Sequence, residues 1–196
     1  MSEQKELVNS REAILDAAVQ LFSEHGYSGT TMRAIAKAVG LLPGSLYTHI
    51  DSKETLLFEV VEDGIEKFLT IQRQVEDSTD PADKRLRTAI KAHIALAALD
   101  RERMLIVFHQ WRFLSEPNRS RAIEMRRQYA QAYVNIIKDG MESGVFRRDI
   151  DPQIAVFSIL GALNWTPEWY RPDGPISAEE VGERMADTLI SGLQPK

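Results

Sequence analysis

The sequence predicts an all-α protein, with three short amino-terminal helices arranged as a helix-turn-helix and a larger helical bundle after them, about nine helices in all. Three observations predict this class. Apolar residues recur at three- and four-residue spacing along most of the chain, which is the period of one helix face. Alternation of apolar and polar residues never persists with the β-branched enrichment that a sheet prefers. Helix start and stop residues stand at the ends of these apolar stripes.

Taken in order, Ile14, Ala17, Ala18, Leu21 and Phe22 form the first stripe, with Asn9 and Glu12 spaced as a capping box and Gly26 as the stop. Met32, Ile35, Ala36 and Val39 form a shorter one, capped by Thr30 or Thr31 and ended by Gly40. Leu41 to Ile50 is a third short segment, with Pro43 suited to a first helical turn. Ser52 opens a longer helix through Leu56, Leu57, Val60, Val61, Ile65 and Leu69, which ends in EDSTDPADK. Asp80 as cap and Pro81 as first helical residue start the next, to Leu99, and Asp100 caps another to about Ser115. A long helix runs from about Asn118 to Gly140, and Asp151 with Pro152 starts one that is apolar nearly all round and so should be buried on more than one side. Thr166 to Pro175 reads as a loop, and Ser177 with Glu180 caps a last helix ending near Gly192.

The composition narrows the function. The chain has 196 residues, 43% hydrophobic and 27% charged, a globular balance with a core of its own. It contains no cysteine, which excludes a disulfide framework, a thiolate zinc site and a cysteine nucleophile. A formal charge of −5 argues against coating nucleic acid or anionic membrane through bulk charge. The amino terminus MSEQKELVNS is polar, and no apolar run approaches the roughly 18 residues of a membrane span, so the expectation is a cytoplasmic protein with no membrane contact. The expected division is a DNA-binding domain over 1–51 and an effector-binding and dimerisation domain over 52–196.

Two short helices joined by a tight glycine turn and braced by a third form the frame of a DNA reader. Ala36 allows close approach of the helices, Gly40 takes a conformation that a side chain resists, and Leu46 anchors the second helix. From His25 to Lys53 the chain holds three cations and one carboxylate, a net +2, while the remainder carries 21 cations and 28 acids, a net −7. Thr31, Arg33, Tyr47, His49 and Lys53 are assigned to phosphate contacts, because hydroxyls, ammonium and guanidinium groups bind backbone oxygens. Leu42, Gly44, Ser45 and Thr48 face outward, toward a major groove.

The segment TTMRAIAKAVGLLPGSLYTHIDSKETLL resembles the amino-terminal signature of the TetR/AcrR family of transcriptional regulators, at Thr31, Ile35, Ala36, Val39, Gly40, Gly44, Leu46, Tyr47, His49, Ser52, Lys53, Glu54 and Leu57. The resemblance implies a homodimer that binds a palindromic operator in double-stranded DNA, with an effector pocket in the larger domain. Two positions depart from the family pattern. Ile50 stands where an aromatic is common, and Leu42 and Pro43 stand where polar readers are frequent, which shifts base contact toward Ser45, Thr48 and thymine methyl groups.

The larger domain offers no catalytic constellation: no HExxH, no GxSxG, no glycine-rich phosphate loop, and His93 and His109 lie on different helices with no carboxylate at metal-ligand spacing. Neither a metal nor a cofactor is expected. All three tryptophans lie here, and Phe108, Trp111, Arg112, Asn164, Trp165, Trp169 and Arg171 are the candidate effector-binding residues, rings beside polar groups as an apolar pocket with a polar mouth requires. The same rings also suit a bundle core or a dimer seam. Within the family, GVFRRDIDPQIAVFSILGALNWTPEWYRPDG resembles the subgroup that responds to acyl-coenzyme A thioesters of lipid or steroid catabolism. Arg112 and Arg171, with Arg119, Arg121, Arg126 and Arg127, are cations available for its phosphates, although the last four also read as a solvated helix face.

Ala155, Ser158, Gly161 and Ala162 on one helix, and Val181, Met185, Leu189 and Leu193 on the last, are the expected dimer elements. A two-fold seam there sets two recognition helices about 34–36 Å apart. The expectation is a repressor released when its effector displaces the helix from Ser52. Two alternatives stand beside it: an efflux-type regulator sensing a hydrophobic drug or metabolite, and a helical enzyme carrying an accessory DNA-binding module.

Overall fold

Glycine sets the first boundaries. Helix α1 (Arg11–Gly29) kinks at Gly26, whose φ of 71° ends the regular helix before one more turn, and Gly40 takes φ 70° after α2 (Met32–Ala38). These features come from a computed structural model that describes residues 11–195; the capping box at Asn9 lies outside them. Thr31 caps α2 by accepting the Ala34 N–H at 3.1 Å. Then follow α3 (Pro43–Leu46), α4 (Lys53–Glu76, capped by Ser52, whose Oγ accepts the Thr55 N–H), α5 (Ala82–Leu99) and α6 (Arg101–His109). A 3-10 turn (Trp111–Phe113) leads to α7 (Asn118–Glu142), α8 (Pro152–Asn164), α9 (Thr166–Trp169) and α10 (Ala178–Ser191). The described chain is helical throughout, with no strand among the described residues.

Four details differ from the sequence expectation. Pro81, with ψ 149°, is extended and stands at the N-cap position itself, while Asp80 accepts the Ser78 hydroxyl instead of capping the helix. The helix expected to reach Ser115 ends at His109, because the chain tightens into i→i+3 bonds over Gln110 to Leu114. The first four residues of the expected 166–175 loop form the single turn α9. Helix α8, expected to be buried on more than one side, buries one face only through Val156, Ile159 and Leu163; Ile154 and Phe157 are each more than 60% exposed.

The chain packs as two compact units, one of residues up to 64 together with 102–123, the other of 65–101 together with 124 onward. In the first, Ile14, Ala18, Phe22, Ile35, Ala36, Leu46, Ile50, Leu56 and Leu57 are buried. Gly64 allows α4 and α6 to touch, since a Cβ there would lie 2.4 Å from Val107 Cγ2. In the second, α5 and α10 form the principal pair. Gly182 brings α10 against the backbone of Lys91, and Lys91 and Arg87 both bind the Glu183 carboxylate. Val181 and Leu193, expected in a dimer stripe, belong instead to this unit's own core with Ala186 and Ile190. Among the described residues no helix is long and apolar enough to cross a membrane.

Candidate nucleic-acid interface and effector site

The reading head sits in the first unit. Leu46 and Ile50 anchor α3 and the turn after it with almost no exposure, and everything between the anchors faces outward: Tyr47, Thr48 and His49, together with Leu42, Gly44 and Ser45 before Leu46. Leu42 is 76% exposed at the N-cap position of α3 and makes no side-chain cap bond. Thr31 and Arg33 are exposed at the start of α2, with Lys37 one turn on from Arg33. Thr48 donates its hydroxyl to Ser45 O at 2.7 Å. Arg11 pins the far end of the head, donating to His49 O at 3.0 Å while its guanidinium pairs with Glu59.

Lys53 is placed differently from its phosphate assignment. It is half-buried, and its Nζ donates to Tyr27 O and Thr30 O, each at 2.7 Å, while lying 4.2 Å from the centre of the Tyr27 ring. Two of its three N–H bonds therefore close the end of α1, where the kink at Gly26 leaves carbonyls without helical donors. Gln110 performs the matching task on the other side, its Oε1 accepting the Tyr27 N–H and its Nε2 donating to Phe22 O, both at 2.9 Å. The Tyr27 ring stacks on Phe113 at 5.5 Å and tilts against Phe22 at 5.5 Å. Burial, and secondarily the Glu54 charge, push the Tyr27 phenol up. The Glu54 carboxyl is held below its ordinary range by the Ser115 hydroxyl and backbone N–H that bind it. Arg103 spans from α6 to Asp16 and Asp63 at 3.4 Å each. Sequence periodicity did not single out Tyr27, Gln110 or Arg103, because contacts between positions far apart in the chain leave no period.

The candidate effector residues fall into two groups. Phe108, Trp111 and Arg112 belong to the first unit, with Phe108 buried, Trp111 half-buried and Arg112 exposed. Asn164, Trp165, Trp169 and Arg171 belong to the second. There Trp165 and Trp169 are about half exposed, and the Arg171 guanidinium donates to Glu168 O and Tyr170 O. A cleft of about 450 Å³ between α8 and α10 is lined by Ile154, Ser158, Thr188 and Leu189 among others, and by none of those four residues. Of the basic cluster, Arg121 pairs with Glu62 over the Phe58 ring and Arg127 with Glu124, as a solvated helix face does.

The second unit contains a polar constellation that sequence reasoning missed. His93 Nδ1 meets the Tyr129 hydroxyl at 2.9 Å, and that hydroxyl meets the Tyr133 hydroxyl at 3.0 Å. Phe68 packs on both, its ring centre 4.5 Å from His93 and 5.5 Å from Tyr129. Burial pulls the His93 pKa down to about 3 and pushes both phenols well up, so the string is neutral near pH 7. Gln72, one turn beyond Phe68 on α4 and 2% exposed, has an Nε2 with no partner among the described residues. A buried amide donor of this kind fits an acceptor that the described residues do not supply. The signal in sequence is weak: Tyr129 and Tyr133 lie four residues apart, as any two neighbours on one helix face do. Among the described residues no group of three or more His, Asp or Glu could hold a metal ion.

Two family descriptions match the chain: "Bacterial regulatory proteins, tetR family" over residues 14–60 and "Tetracyclin repressor-like, C-terminal domain" over 79–193. The chain is 31% identical over 191 residues to the HTH-type transcriptional repressor KstR2 of Mycobacterium tuberculosis, covering 95% of this chain and 94% of that one. The structure of that ketosteroid transcriptional regulator superposes with a TM-score of 0.88 at 29% identity, over 96% and 97% of the two chains. The fatty acid metabolism regulator protein of Bacillus subtilis is 26% identical over 186 residues, 93% of this chain and 95% of that one. AibR, solved in complex with isovaleryl coenzyme A and operator DNA, superposes with a TM-score of 0.81 at 29% identity, over 94% and 97%.

Proposed function

The chain belongs to the TetR family and is a DNA-binding transcriptional repressor of that type, not an enzyme, and from this premise we propose that its effector is an acyl-coenzyme A thioester. The observation that carries the proposal is the neutral string of His93, Tyr129 and Tyr133, with the buried Gln72 amide one turn along α4 from Phe68, whose ring packs on His93 and Tyr129. A thioester carbonyl is uncharged and accepts hydrogen bonds, which is what a buried amide N–H and phenols held neutral can offer; a free carboxylate would bring an uncompensated charge into the same surroundings. The likeness to AibR, whose structure holds isovaleryl coenzyme A, and to regulators of ketosteroid and fatty acid metabolism supports the same ligand class. Polar recognition is thereby assigned to Gln72, His93, Tyr129 and Tyr133. Trp165 and Trp169, with Ile154 and Phe157, are assigned to the exposed face through which α8 meets a second copy of the chain.

Two such copies present two reading heads to a palindromic operator. Thr31, Arg33, Tyr47 and His49 take phosphate, Leu42, Gly44, Ser45 and Thr48 face the base edges, and Lys53 holds the head in shape. Thermal unfolding against graded acyl-coenzyme A esters, with free coenzyme A and free fatty acids as controls, tests the effector. A bound ester at about 100 times its dissociation constant adds about 2.7 kcal/mol of stability and releases operator DNA. No shift at any chain length would overturn the thioester and leave the repressor standing.

A further inference from the structure

Leu41 to His49 contains no Arg, Lys, Asn, Gln, Asp or Glu. Those are the side chains that read guanine, adenine and cytosine through paired or charge-assisted hydrogen bonds in the major groove, so this segment lacks the usual polar readers. Besides Tyr47 and His49, which are assigned to phosphate, it presents Leu42, Gly44, Ser45 and Thr48 outward. The Thr48 proton is already engaged by Ser45 O at 2.7 Å, which leaves its methyl group and oxygen lone pairs for contact.

Leu42 has no role within the chain that accounts for it. It is 76% exposed, so it contributes nothing to the core, and it occupies an N-cap, where Leu is among the poorest residues, without a cap bond. Gly44, two residues on, is similar. Its φ is not positive, and an added Cβ would meet nothing within 4 Å, so neither backbone strain nor crowding inside the protein calls for a glycine. A bare backbone position beside a displayed aliphatic side chain suits close approach by something outside the chain. In the major groove the one apolar feature that distinguishes a base pair is the C5 methyl of thymine.

We infer that Leu42 selects the operator half-site by contact with thymine methyl groups, and that Gly44 provides the clearance for that approach. The inference rests on the repressor reading and deepens it: it names what the head recognises. Because the contact is apolar, its discrimination is independent of ionic strength, whereas phosphate affinity falls steeply with salt.

The test uses the full-length protein and duplexes enriched by it from a random-sequence library. Each thymine of the enriched half-site is then replaced by deoxyuridine, which keeps every hydrogen-bonding group and lacks only the methyl. Removing the contacted methyl weakens binding about fourfold in one half-site and about fifteenfold in both, at low and high salt alike. Leu42→Ala binds the thymine and deoxyuridine duplexes equally, with an unchanged unfolding temperature. Enrichment followed by equal binding of the two duplexes by the unsubstituted protein overturns the inference alone, as does full discrimination by Leu42→Ala. Failure to enrich any sequence overturns the repressor reading and the inference with it.

Discussion

Replacing Lys53 with methionine separates two roles that the sequence could not tell apart. Methionine keeps an unbranched stem of similar length and removes the ammonium, which makes two hydrogen bonds of 2.7 Å to Tyr27 O and Thr30 O and lies 4.2 Å from the Tyr27 ring centre. A hydrogen bond from a charged donor contributes about 1.5–3 kcal/mol, and half exposure of Lys53 reduces each toward about 1 kcal/mol. The cation over the ring adds about 0.5–1 kcal/mol. The loss is then about 2–3 kcal/mol, a fall of about 5–10 °C in unfolding temperature for a chain of this size. Denaturant unfolding measures that loss, and operator binding between 50 and 200 mM salt measures whether the ammonium touches phosphate. Removing one phosphate-bound ammonium from each half of a dimer flattens the logarithmic salt slope by about 1.8, whereas a loosened head lowers affinity with the slope intact. Unchanged stability with a slope flattened by that amount would refute the clamp and restore the phosphate role.

Two further outcomes follow from the same geometry. Gly44→Ala raises stability by about 0.4–1 kcal/mol, since the site is open and the backbone ordinary, yet weakens operator binding; an affinity equal to that of the unsubstituted protein would mean that nothing approaches this position. His93 takes up a proton at about 3 in the folded chain and near 6.5 when unfolded, so the unfolded state binds the extra proton between these values and stability falls as pH drops through that window. The contribution reaches roughly 2 kcal/mol between pH 6.5 and pH 5, and urea midpoints at pH 7 and pH 5 should converge more closely in His93→Gln than in the unsubstituted protein.

The reading head was legible because its determinants are local. Thr31 caps α2 as its hydroxyl and position foretold, Gly40 takes the positive φ its place required, and Leu46 is fully buried. Asp151 and Ser177 likewise cap α8 and α10, each accepting N–H groups two or three residues ahead. Lys53 was found in the sequence and assigned to phosphate, but its bonds to Tyr27 O and Thr30 O were not foreseen, because a motif conveys that a cation is required and not which oxygen it meets. The tryptophans pointed toward a pocket, yet Trp165 and Trp169 stay about half exposed, while His93, Tyr133 and Gln72 are buried. A string joining residues 93, 129 and 133 depends on how α5 and α7 come together, which no single stretch of sequence records. The all-round apolar character of α8 was read as burial on more than one side, but the chain covers only one face, since periodicity records composition and not which neighbours the fold supplies.

The bonds around Tyr27 also bear on how the protein is made. The first unit is complete only when Asp16, Phe22 and Tyr27 have met Lys53, Arg103, Gln110 and Phe113. At synthesis rates of about 5–20 residues per second, residue 113 is added roughly 6–23 s after the first. Until residue 53 is added the Tyr27 and Thr30 carbonyls lack the Lys53 ammonium, and until residue 110 the Tyr27 N–H and Phe22 O lack the Gln110 amide. A fragment ending at residue 51 would stay in that condition permanently. The DNA-reading segment is therefore short in sequence but not portable: grafted onto another protein without α4 and α6, it would carry the motif and lack the parts that hold it in shape.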